Sequence, residues 1–145
     1  MIESGAKFEY PSNASNPDLF GHMSAENDLL RAFRSNRLHH AWLISGPRGI
    51  GKATLAFRFA RFIFANYEAP KRLFADAPDQ LNCIDSLVIS QEHPVFQRVA
   101  SGGHADLLVV ERSKNERGVL RSEIVINDIR KAQHFLHMTA GEAGW

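Results

Sequence analysis

The chain has 145 residues, 44% of them hydrophobic and 23% charged, with a formal net charge of +1. That composition excludes a disordered or fibrous chain and fits one domain of ordinary size. Near-neutral charge leaves any contact with nucleic acid or membrane to a local patch. A single cysteine, Cys83, excludes an intramolecular disulfide and a four-cysteine zinc site. The start, MIESGAKFEYPSNASNP, lacks the apolar core of a signal peptide. No run approaches the roughly 18 apolar residues of a membrane span. The expectation is a cytoplasmic protein without membrane contact.

Residues 1–18 hold Pro11, Pro17 and several Asn and Ser, and read as an N-terminal arm. Ser24 suits an N-cap, and Leu29, Leu30 and Phe33 form one stripe of a helix from about Ala25 to Asn36. Arg31, Arg34 and Arg37 recur every three residues, as a solvated face or a partner surface. His40–Ser45, HAWLIS, is a short apolar run that suits a strand buried on both faces. His39 and His40 have no nucleophile or carboxylate beside them in sequence, so packing or hydrogen bonding is their expected role. Thr54–Tyr67 predicts a second helix, with Leu55, Phe59, Phe62 and Ile63 on a broad apolar face and Arg58 and Arg61 turned elsewhere.

Helical pieces are expected near 70–75 and 82–90, with a weaker signal near 94–100. Asp106–Glu111, DLLVVE, reads as a second buried strand, and 113–118 as a charged turn. A last helix starts at Asn127 or Asp128 and carries Ile129, Ala132, Gln133 and Leu136 at helical spacing.

The chemistry sits between the first strand and the second helix. Gly46-Pro47-Arg48-Gly49-Ile50-Gly51-Lys52, followed by Ala53-Thr54, meets the phosphate-loop pattern G-x-x-x-x-G-K. Glycines permit the torsions that turn successive amides inward on an anion. The helix N-terminus adds free N–H groups and a favourable dipole. Lys52 supplies a mobile point charge for the outer phosphates. The site predicted for a nucleotide such as ATP or ADP therefore comprises Gly46, Pro47, Arg48, Gly49, Ile50, Gly51, Lys52, Ala53 and Thr54. Ala53 stands where the pattern carries the Ser or Thr that holds magnesium, and Thr54 lies about 100° further round the helix. Weak magnesium handling and weak or absent hydrolysis follow as expectations. Arg48 is placed either on phosphate or at a solvent or subunit surface. No catalytic residue and no metal ligand are assigned; Glu111 is not taken as an acid.

The stretch from Leu38 to Ala56, LHHAWLISGPRGIGKATLA, resembles the AAA+ ATPases of bacterial clamp loaders in DNA polymerase III. Leu19-Phe20-Gly21-His22 with Ala25-Glu26 resembles the family's opening segment, which lies near the adenine. Ile126–Arg130, Phe135-Leu136 and Thr139–Trp145 resemble the stretch before the Walker B strand. The Gly-Lys-Ala-Thr loop is more similar to the family's stator-type subunit than to its gamma/tau motor.

The resemblance implies an α/β fold, a P-loop NTPase of AAA+ type with a parallel sheet flanked by helices. Residues 19–145 would be the first part of that domain, ending before Walker B. It implies the gamma/tau and delta subunits as partners, with the sliding clamp and primed DNA reached through the complex. Arg58 and Arg61 are read as a solvated helix face or, since basic groups on the family's inner surface track the DNA backbone, as a partner or DNA contact. An active gamma/tau-like motor, or another P-loop NTPase, is the alternative. Many members carry a four-cysteine zinc module; here Cys83, His93 and His104 are widely spaced, and no zinc is expected. In the family's strand order, 5-1-4-3-2, the two predicted strands are not neighbours, so open sheet edges and poor stability alone are expected.

Overall fold

The computed structural model describes residues 11–35, 37–67 and 84–137. The predicted helical piece near 70–75, Cys83 and the Thr139–Trp145 motif lie outside them. Contacts divide the chain into two compact units, one up to Gly103 and one from His104. No helix among the described residues is long and apolar enough to cross a membrane.

Among the described residues the first unit holds three helices: α1 (Met23–Arg34), α2 (Lys52–Tyr67) and α3 (Pro94–Ala100). Helix α1 begins ahead of the predicted Ser24 cap; His22 occupies the cap position without capping through its side chain. The expected stripes form the core. Leu29 and Leu30 from α1 meet Leu55, Phe59 and Phe62 from α2, joined by Leu87. Phe33 meets Phe62 edge-on, with ring centroids 4.8 Å apart. Nearly full burial of such side chains contributes about 1.5–3 kcal/mol each.

Helix α2 carries Phe57, Phe59, Phe62 and Phe64 around its axis, and it packs on α3 as well as joining α1 in the core. Helix α3 forms where the sequence signal was weak, because Pro94 sits at its first turn and His93 Nδ1 accepts the Val95 amide at 3.2 Å. The predicted helix near 82–90 does not appear over 84–90, which is irregular and places Leu87 in the core. Arg34 secures this segment: its guanidinium donates to the Ile84 carbonyl and, at 2.6 Å, to the Asp85 carboxylate.

The two predicted strands do not form. Segments 40–45 and 106–111 are irregular and pair with nothing in a β-ladder, and no named strand occurs among the described residues. The parallel sheet of the expected fold class is therefore absent from them. Nor is the first segment buried: Leu43 is 94% exposed and Trp42 is partly open, although Ile44 packs against the core and the Trp42 ring meets Phe59 edge-on at 6.1 Å. A strand is stabilised by pairing with a neighbour, and an apolar run without one leaves its amides and carbonyls to water.

In the second unit His104 Nδ1 accepts the Asp106 amide at 3.2 Å. Residues 113–121 make a small turn, closed by an isolated antiparallel bridge between Lys114 and Leu120. Asn115 Oδ1 accepts the amides of Arg117 and Val119, both at 3.0 Å, and Gly118 takes φ +75°. Helix α4 (Ile126–His137) follows, and none of its residues is buried.

Candidate functional site

Residues 46–51 are neither helix nor strand but a succession of turns and bends that ends where α2 begins at Lys52. Three glycines take left-handed backbone torsions: Gly46 at φ +145°, Gly49 at +82° and Gly51 at +107°. At Gly51 a Cβ would also lie 3.2 Å from Leu19 Cδ1 and 3.3 Å from His22 Nε2, so both backbone and space require glycine. Gly51 supplies the carbonyl that accepts the Leu55 amide, at 2.9 Å. The amides of Lys52, Ala53 and Thr54 are therefore first-turn donors, which an α-helix leaves without intrahelical partners.

Lys52 folds back over the loop. Its Nζ donates to the carbonyls of Gly46 at 2.8 Å and Pro47 at 2.7 Å. Thus the ammonium stays on the loop rather than reaching into bulk water. An incoming anion would compete with those two carbonyls for it. Ala53 is exposed, whereas Thr54 is buried. A methyl at position 53 cannot ligate a metal. These residues do not fit a magnesium ion held in the usual P-loop manner, and no step is assigned to one.

All the loop positions predicted for the site except Pro47 line one hollow of about 640 Å³. Asn13, Asn16 and Asp18 of the N-terminal arm, with Leu19 and Phe20 directly after it, complete its lining. Its size falls within the range of small-ligand pockets, about 300–1,000 Å³. Arg48 and Lys52 set two cations against the one carboxylate, that of Asp18. Such a lining favours an anion bearing a larger uncharged part.

Sequence reasoning missed three contributions to this site. His22 Nε2 lies 2.6 Å from the Ile50 carbonyl, so the proton on that nitrogen ties the start of α1 to the loop. Arg61, expected on a solvated or DNA-facing surface, is 2% exposed and bonds to the arm. Arg58 does likewise, and pairs with Glu26 at 2.7 Å. The signal was present in the phenylalanines around α2, which mark a helix covered on more than one side. Arg34 is corrected in the same way, because it binds the 84–85 segment.

The other candidates fall outside the hollow. His39 stacks edge-on with Trp42 at 5.2 Å, while His93 and His104 accept backbone amides. His104 is buried. Among the described residues no cluster of three His, Cys, Asp or Glu could hold a metal ion.

A glycine loop that turns into a helix N-terminus, with a lysine folded over it, is an arrangement from which anion-binding sites are built. The family model described as DNA polymerase III, delta subunit, matches residues 21–145, and the chain belongs to that family. Over 44 residues, 30% of this chain, it is 43% identical to DNA polymerase III subunit tau/gamma of Haemophilus influenzae, covering 6% of that protein. A 44-residue match to DNA polymerase III subunit gamma of Buchnera aphidicola is 41% identical and covers 12% of it. The chain thus spans a small fraction of these relatives' length. No solved structure matches it significantly.

Proposed function

We propose that the protein is a clamp-loader subunit of the DNA polymerase III holoenzyme, of the delta prime type, that binds nucleotide or phosphate at residues 46–54. The carrying observation is the glycine-lined hollow with the Lys52 ammonium held at its loop, in a chain of the DNA polymerase III delta subunit family. The P-loop architecture of AAA+ type and its parallel sheet belong to this reading. So do the cytoplasmic setting, the gamma/tau and delta partners, and the sliding clamp and primed DNA reached through them.

Chemically, the loop amides and Lys52 would hold the phosphates, and Arg48 would stand at the rim. ATP or ADP would bring the phosphate groups; this chain's part is to bind and orient them. Ala53 supplies no oxygen for magnesium, so hydrolysis by this chain alone is weak or absent. The role is then assembly and positioning rather than turnover.

The tau/gamma matches favour one alternative, an active motor. Titration of the 145-residue chain with ATP, with and without magnesium, separates the two. The proposal expects similar affinity in both conditions, and roughly tenfold or greater loss in Lys52→Ala. Robust magnesium-dependent turnover that Lys52→Ala abolishes would establish the motor instead.

A further inference from the structure

The N-terminal arm is fastened to α2 by contacts that phosphate binding does not use. Arg61 donates Nη1 to the Ala14 carbonyl at 2.5 Å and Nη2 to the Asn16 carbonyl at 3.0 Å. Arg58 donates Nη1 to the Pro17 carbonyl at 2.7 Å. The Arg61 guanidinium lies 4.4 Å from the centre of the Phe96 ring, and the side chain is almost wholly buried. A planar guanidinium grips two carbonyls at once and stacks on an aromatic face, which an ammonium cannot do. Burying a charge is costly unless its donors are satisfied, so a buried arginine with two carbonyl acceptors and an aromatic face fixes a geometry.

That geometry bears on the hollow. The lining groups of the arm and of the two residues that directly follow it are amides, a carboxylate, an aliphatic chain and the Phe20 ring, which is 84% exposed. None is a cation. Both cations, Arg48 and Lys52, lie on the loop. The hollow is therefore two-sided: the loop side suits phosphates, and the arm side suits the uncharged, aromatic part of a nucleotide.

We propose that Arg61, seconded by Arg58, is a positioning residue that straps the arm in place as the nucleoside-side wall, leaving phosphate capture to the loop alone. This rests on the phosphate-binding reading above and adds a division of labour to it.

The test is calorimetric titration of the full chain with ATP and, separately, with inorganic tripolyphosphate, in wild type, Arg61→Met and Arg61→Lys. Hydrogen exchange at the arm amides is followed in parallel. Arg61→Met is expected to weaken ATP roughly tenfold, to leave tripolyphosphate within about twofold, and to lose arm protection. Arg61→Lys retains the buried charge and one of two carbonyl bonds. It should give a smaller loss of the same selective kind, and it decides the matter where Arg61→Met does not fold. Equal losses for both ligands, or no loss for either, would overturn the strap. Wild type that binds tripolyphosphate as tightly as ATP would sink the strap while sparing the phosphate loop. Wild type that binds neither would sink the phosphate reading, and this inference with it.

Discussion

Helices α2 and α4 both carry apolar residues at helical spacing, α2 on more than one side, and they have opposite fates in the fold. Leu55, Phe59 and Phe62 of α2 enter a core, and its arginines reach back to the arm. In α4 no residue is buried, and Leu136 stays 79% exposed. The first unit thus has a core that supports a site; the described part of the second has a helix and a turn with little beneath them. Amphipathic spacing reports that a helix can bury a face. Whether it does depends on a second element offering a matching surface.

That contrast can be broken by substitution. Phe62→Ala should cost about 3–5 kcal/mol by removing a buried ring from the α1–α2 core, read as loss or a large downshift of the helical melting transition. A change of under 1 kcal/mol would show that the core is not where stability resides. Gly51→Ala should cost about 1–3 kcal/mol, because the residue sits at positive φ and a Cβ would press on Leu19 and His22. It should also impair phosphate titration more than it lowers the melting temperature.

Arg61 sharpens the comparison through pH. Burial first, and the neighbouring Arg58 second, lower its pKa to about 10, so it remains charged at neutral pH. Its folded value lies below its unfolded one. Above about pH 10 the folded chain releases a proton that the unfolded chain keeps, so stability due to Arg61 rises with pH in that window. The difference in unfolding free energy between wild type and Arg61→Met should move in favour of wild type from about pH 9 to 11. At the small end, Leu136→Ala in α4 should stay within about 0.5 kcal/mol, as for a surface position. A larger loss would mean that α4 has a packing partner.

The local level of the fold was legible in the sequence. The α1 and α2 stripes, the end of α2 at Tyr67, and the glycine loop between an apolar run and a helix all follow from spacing and residue type. What was not legible depended on contacts far apart in the chain. HAWLIS has a strand's composition, but composition cannot supply a ladder partner. Arg34, Arg58 and Arg61 look like surface charges because their acceptors, the Ile84, Pro17, Ala14 and Asn16 carbonyls, lie tens of residues away. Backbone carbonyls leave no mark in sequence. His22 was placed near the nucleotide by resemblance, yet its bond to Ile50 came from geometry alone.

The central claim is that the amides entering α2 close on an anion. Following each backbone amide by nuclear magnetic resonance while tripolyphosphate is added to the isotope-labelled chain tests it most directly. The account predicts saturable shifts concentrated on Gly49 to Thr54, absent in Lys52→Ala. Shifts scattered over surface lysines and arginines, with the loop amides unmoved, would contradict it.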